Sequence, residues 1–312
     1  MVHLRIVAPP ALADAAYGIV SGHPSALNVV RLPGASERPA GDLILCDVAR
    51  EDTSLVVEEL RRLGLEHEGS IAIEPVTSLV SDAARRAERA AIGSPADAVV
   101  WEAVESQTSE SAELSFSFAA FMVLATLIAA VGIIEDSLIL IIGAMVVGPE
   151  YGPLAGLCVA LVQRKGELAV RSLRALAVGF PLAILASFLL TTVLRASDSA
   201  PDELTAIDHP ATLFISHPDE FSALVAVLAG VAGTLSLSTA KSGALVGVLI
   251  SVTTIPAAAN VGVAAAYGDG SEVAGAAAQL GVNLVCIVAA GVATLALQRA
   301  FYARRRRSYG GG

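Results

Sequence analysis

From Phe116 onward the chain alternates long apolar segments with short polar gaps, and before that point it does not. A membrane helix needs roughly 20 apolar residues to cross a hydrocarbon core of about 30 Å. Six segments meet that length, at about 116–134, 138–162, 169–194, 221–240, 243–267 and 273–298. The first part of the chain has shorter periods. Val2–Ala8 alternates as a strand, 11–21 has helical spacing, and 27–32 and 43–48 read as strands around a Pro/Gly-rich turn. Asp52-Thr53 reads as the cap of an amphipathic helix to Leu63, ended by Gly64, and 70–76 reads as a last strand. The order β-α-β-β-α-β predicts a small α+β ferredoxin-like domain over 1–76. Residues 77–115 continue as a helical linker, with 96–113 a coupling helix that carries Trp101 and leads into the first span.

Composition sharpens this division. The chain has 312 residues, of which 54% are hydrophobic and 16% charged, values that suit a multi-span membrane protein and exclude an ordinary soluble one. The expected class is therefore a mainly α membrane protein with six transmembrane helices, preceded by the ferredoxin-like domain. The net charge of −10 gives no reason to expect a nucleic-acid partner. Cys46, Cys158 and Cys286 are too dispersed for a disulfide framework or a metal knot, and two of them read as small apolar filler inside spans. The start of the chain has no apolar core long enough for a signal peptide.

Charge in the gaps sets the expected orientation. Arg164, Lys165, Arg171 and Arg174 follow the second span, Lys241 follows the fourth, and Arg299 and Arg304 to Arg307 form a basic tail over 299–312. If six helices alternate, all of these fall on one side, opposite a surface dominated by Asp and Glu. The positive-inside rule then places both termini in the cytoplasm and the spans in the inner membrane. His209 and His217 stand beside Asp208 and Asp219 in the long outer loop, but these residues also read as turns opening helices, so no metal is expected there.

The chemistry concentrates in the second span. Gly148-Pro149-Glu150-Tyr151-Gly152-Pro153 places an acid and two prolines at its centre. A carboxylate at that depth costs on the order of 3 kcal/mol on insertion scales. Broken backbone at membrane depth survives only where protein buries it or a cavity meets it. Spans one to three and four to six form two halves, and three spans per half force opposite topologies, so a repeat would be an inverted 3+3 repeat. The fifth span carries Pro256 near its middle, in the position matching the interruption in span two. Paired interruptions of this kind point to a transporter's binding site. The expected substrate- or ion-binding residues are Gly148, Pro149, Glu150, Gly152, Pro153, Thr253, Thr254, Pro256 and Asn260, with Ser251, Gln279 and Asn283 as further polar groups that could face the acid. Apart from Arg171 and Arg174 at the edge of span three, no Lys, Arg or His lies within a span to pair with Glu150. Pro181, near the middle of span three, reads as a plain kink.

Three segments carry a resemblance: Trp101-Glu102-Ala103-Val104 with Glu110-Ser111, Gly143 to Leu154, and the Pro256 helix. Over roughly 96–298 they resemble the bacterial hydrophobic membrane family of unknown function, DUF family 389. The short form with an N-terminal ferredoxin-like domain is also similar to members of that family. The resemblance implies the architecture and no particular activity. The functional expectation is a transporter or channel for an ion or small polar solute, using no cofactor and no enzymatic chemistry, with a bilayer and further copies of the chain as partners. The alternative is a membrane-anchored sensor or scaffold whose cytoplasmic domain binds a ligand or partner.

Overall fold

The computed structural model describes residues 1–91, 99–201, 220–238 and 244–309. The outer-loop histidines and Lys241 lie outside these residues, as do the first residues of the expected coupling helix. The chain divides into two compact units, Met1–Val104 and Glu105–Gly312.

The first unit runs β1 (Val2–Ala8), α1 (Pro10–Gly22), β2 (Ala26–Glu37), β3 (Ala40–Val48), α2 (Arg50–Arg62), a short α3 (Leu65–Glu68) and β4 (Ser70–Pro75), followed by α4 (Asp82–Ala90) and the start of α5 (Trp101–Ser111). The sheet order is β2-β3-β1-β4, with every neighbouring pair antiparallel. Period-two alternation explains its core. Leu4 and Ile6 of β1 pair with Cys46 and Ile44 of β3, and all four are fully buried with Ala16, Val20, Val56 and Leu60. Two local expectations are corrected. The stretch expected as a Pro/Gly-rich turn is mostly strand, because β2 and β3 pair as far as Glu37 and Ala40 with irregularities that absorb extra residues. Asp52-Thr53 does not cap α2, which begins at Arg50 with Ala49 at its N-cap. Thr53 instead donates to the Ala49 carbonyl from within the first turn, at 3.0 Å.

That early start buries an acid. Glu51 is 6% exposed, and neither of its carboxylate oxygens has a hydrogen bond to another described residue. Burial raises its pKa, its own backbone amide offsets this in part, and repulsion from Asp52 and Glu88 adds to the rise. A group whose pKa is raised on folding stabilises the fold while protonated, and that stability is lost as pH climbs through the folded value. Glu51→Gln should therefore increase the hydrogen-exchange protection of α2 in the full chain at pH 7, by about 1 kcal/mol. The gain should vanish below the ordinary carboxylate range, and equal protection at both pH values would contradict this account.

The second unit is helical: α6 (Phe116–Ile134), α7 (Leu138–Val147), α8 (Tyr151–Gln163), α9 (Gly166–Ala196), α10 (Glu220–Ser238), α11 (Ala244–Tyr267) and α12 (Gly270–Tyr309). Among the described residues three helices, α6, α9 and α12, are long and apolar enough to cross a membrane alone. The pair α7 and α8, bent by 52° at its break, makes a fourth candidate, and α10 contributes a shorter apolar stretch, Phe221–Leu237. The unit exposes large apolar side chains and buries several polar ones within a mainly apolar core. Leu124, Ile139, Ile142, Leu185, Leu189 and Val285 are exposed, whereas Thr126, Glu150, Ser187, Thr254 and Asn283 are completely buried. Small residues let the helices approach closely. A Cβ on Gly262 of α11 would lie 2.6 Å from the Ile184 carbonyl oxygen of α9, and one on Gly230 of α10 would lie 2.5 Å from the Ile287 carbonyl oxygen of α12.

The two interruptions expected from proline behave differently. The second span breaks at Gly148-Pro149-Glu150 as its sequence indicates. The fifth does not: α11 runs unbroken through Pro256, so the expectation of two discontinuous helices is corrected to one. A single proline removes one backbone hydrogen bond, a defect that neighbouring helices absorb, and here Ala257-Ala258-Ala259 continue the helix. Two prolines four apart with flanking glycines remove more than a turn can repair. Pro181 likewise lies inside a continuous α9. Both α9 and α12 outrun their apolar cores, at 31 and 40 residues.

Candidate functional site

The break in the second span holds the acid in place. Pro149 has no N–H to give the carbonyl of Met145, and Pro153 can donate nothing in the first turn of α8. The chain turns through Gly148 and Pro149, and helix resumes as Leu154 N donates to the Glu150 carbonyl at 3.1 Å. Glu150 thus stands at the N-cap of α8, though its side chain makes no capping bond. It reaches across to α11 instead: Thr254 Oγ1 donates to Glu150 Oε1 at 2.7 Å, and both residues are completely buried. A hydroxyl donating to a buried carboxylate is a strong, charge-assisted contact.

The neighbouring residues fix this geometry. Tyr151, next in the chain, donates its hydroxyl to the Gly233 carbonyl of α10 at 2.9 Å. A Cβ on Gly152 would lie 2.5 Å from the Ser111 carbonyl oxygen, so the glycine allows α8 to seat against the end of α5. Further along, Cys158 Sγ donates to the Val288 carbonyl of α12 at 3.7 Å, and Ser187 of α9 donates to the Ala259 carbonyl of α11 at 2.8 Å.

A cleft of about 490 Å³ opens onto the break. Glu110, Ser111, Glu113 and Ser115 line one side, and Gly148 and Pro149 line another. None of its lining residues is basic, so it presents a negative field to anything that enters. Glu150 is not among those lining residues, although its chain neighbours Pro149 and Tyr151 are. Sequence reasoning missed this cleft because 105–115 is too polar to count as a span. The signal was present as Thr108, Ser111 and Ser115, spaced like one face of a helix running into its successor.

Of the expected residues, Glu150 and Thr254 meet, while Gly148, Pro149 and Gly152 form the wall of the cleft. Pro153 is buried in the first turn of α8. Pro256 and Asn260 are buried on α11 but do not share the face of Thr254. Asn260, six residues on, lies about 9 Å along the axis and about 120° around it. Pro256 acts through the backbone, since it has no N–H to give the Val252 carbonyl, one turn before it. The side chains of Ser251 and Thr253 lie outside the described residues.

These features define a class: a helical protein with spans that fit a membrane, one of them broken around a buried acid. Residues 145–289 match the family model described as "Domain of unknown function (DUF389)", so this stretch is similar to a family of unknown function. The match contains the acid, its threonine partner and the whole of α11. An uncharacterized protein of Methanocaldococcus jannaschii is 29% identical over 154 residues, which cover 49% of this chain and 45% of that protein. The chain therefore spans about half the length of the curated relative it matches. No solved structure matches.

The close approach at Gly152 is directly testable. Gly152→Val should lower thermal stability in detergent, at a cost of about 1–3 kcal/mol for overpacking. Gly143, on α7, is the control: a Cβ added there would meet nothing within 4 Å, and Gly143→Val should leave stability unchanged. Equal melting of both variants would remove the packing argument.

Proposed function

We propose that this protein is a transporter or channel for an ion or small polar solute, with its pathway at the break between α7 and α8, where Glu150 faces Thr254 of α11. The observation that carries the reading is a fully buried carboxylate set in a helix break and reached from another helix. A membrane protein retains so costly an arrangement where the acid has work to do. The acidic cleft lined by Gly148 and Pro149 supports the same reading by supplying an approach to the break.

In this reading the helices form six spans, with α7 and α8 together as the second, arranged as a 3+3 inverted repeat. The packing favours it: α8 of the first half lies on α12 of the second, and α11 of the second half lies on α9 of the first. Such an exchange is what a pseudo-two-fold axis in the membrane plane would produce. The basic gaps place both termini in the cytoplasm of an inner-membrane protein, with the N-terminal unit as a regulatory module, and small-residue faces favour a homo-oligomer. The reading assigns no chemical reaction to the protein.

Flux into liposomes containing the purified protein tests this proposal. Alkali cations, protons and small polar solutes would be compared, with Glu150→Gln and Pro149→Ala each expected to cut the rate by at least about tenfold. The absence of flux for every species tried, or rates untouched by both substitutions, would overturn it.

A further inference from the structure

The cleft at the break is lined by two kinds of residue. Glu110 and Glu113 come from the end of α5 and the turn before α6, while Phe118 and Phe121 of α6, Val146 of α7 and Tyr151 of α8 bring apolar surface. All of them belong to the second unit. Two bases reach this stretch of chain, but neither lines the cleft: Lys165 pairs with Glu105, and Arg171 donates to the Ser109 hydroxyl at 3.0 Å. Glu110 and Glu113 are exposed and form no ion pair with any described residue.

Two of the rings are fixed by contacts of their own. The Tyr151 hydroxyl is tied to the Gly233 carbonyl of α10. The Phe118 ring lies against Gly179 of α9, where an added Cβ would stand 2.8 Å from Phe118 Cε1. Rings held in this way need little further ordering when a ligand enters. The volume of about 490 Å³ lies within the range of small-molecule sites, roughly 300–1,000 Å³. A bare metal ion fills a small part of that space, and among the described residues no group of three or more His, Cys, Asp or Glu could hold one. A hydrated inorganic cation would set its waters against apolar side chains. An anion would meet two carboxylates and no base. An organic ammonium ion uses both kinds of lining, its charge toward the carboxylates and its carbon-rich body against rings whose faces attract positive charge. Phospholipids with a choline or ethanolamine headgroup carry the same ammonium, but they bring a phosphate against the same carboxylates.

We infer that this cleft binds a small organic ammonium ion, held by Glu110 and Glu113 at its charge and by Phe118, Phe121 and Tyr151 along its body. Such a ligand rests on the transport reading for its purpose and on the cleft alone for its chemistry. Equilibrium binding tests it without requiring flux. Thermal unfolding of the purified full-length protein, in a maltoside detergent and phosphate buffer, would be followed while choline chloride replaces NaCl at constant ionic strength. The uncharged isostere of choline, 3,3-dimethyl-1-butanol, isolates the contribution of the positive charge.

Choline should raise the melting temperature saturably, and the uncharged isostere should bind about tenfold more weakly or worse. Joint substitution of Glu110→Gln and Glu113→Gln should weaken the apparent affinity by about tenfold. Phe121 is 49% exposed, so Phe121→Leu spares the core, keeps apolar bulk and removes only the ring; it should cost about threefold. Glu105→Gln, on the same helix but outside the cleft, should bind as the parent does. If the double variant does not fold, Glu110→Gln and Phe121→Leu carry the test. The ammonium site is overturned if choline stabilises no more than NaCl, if the isostere binds equally well, or if the cleft variants bind as the parent does. Stabilisation by added phosphatidylcholine without stabilisation by free choline would mean a headgroup site and would overturn it too. Flux without choline binding leaves the transport reading standing and removes this ligand. Saturable choline binding without flux of any species does the reverse.

Discussion

Everything in the helical unit answers to one constraint: a carboxylate with no exposed surface sits where its own helix has been interrupted. A continuous helix satisfies its backbone internally and needs no partner for that purpose. Once Pro149 removes a donor and the chain turns through Gly148, the loose groups and the acid must find partners on other elements. Thr254 comes from α11, the Gly233 carbonyl that receives Tyr151 from α10, and the Ser111 backbone that seats Gly152 from α5. Three elements are thus committed to a segment of a few residues. The glycines at 152, 156, 262 and 291 serve this convergence, because each stands where a side chain would hold two backbones apart.

The same constraint explains why the polar groups lie inside. In water an apolar core drives assembly, but between apolar helices in lipid that drive is absent and contacts must come from close packing and interhelical hydrogen bonds. Ser187 bonding to Ala259 and Thr126 to Ala183 are bonds of this kind, and both are completely buried. Each is replaceable by a small apolar residue at modest cost. The pair of Glu150 and Thr254 is not, because removing one partner costs a buried carboxylate its hydroxyl donor or a buried hydroxyl its acceptor.

The strands and the break were legible because each has a local cause. Val2–Ala8 alternates on its own, and Gly-Pro-Glu-Tyr-Gly-Pro removes donors at two places four residues apart. The continuity of α11 was not legible, since a lone proline bends or breaks a helix according to what surrounds it, and those surroundings are tertiary. The same limit hid the true start of α2, where Ala49 rather than Asp52 takes the N-cap. Hydropathy also misses the polar continuation of an apolar helix. The span boundaries read from sequence therefore stop short of the ends of α9 and α12, and they passed over 105–115, which forms one side of the cleft. Thr254 could be named as a possible partner of Glu150 from sequence, but not preferred over Thr253, because one residue rotates a helical side chain by about 100° and only the packing of α11 fixes which one faces the acid.

Pro256 gains a different meaning once its helix is seen to be whole. It lies two residues beyond Thr254, so the carbonyl it leaves without the usual helical donor, at Val252, is two residues before that threonine. The first half of the unit achieves loose backbone by breaking, at Met145 to Pro149, while the second achieves a milder version without breaking. The acid sits on the half that broke fully, where a turn of chain rather than a rigid helix carries it. The pair of Glu150 and Thr254 thus joins an interrupted segment to a continuous helix, since Thr254 is carried by α11.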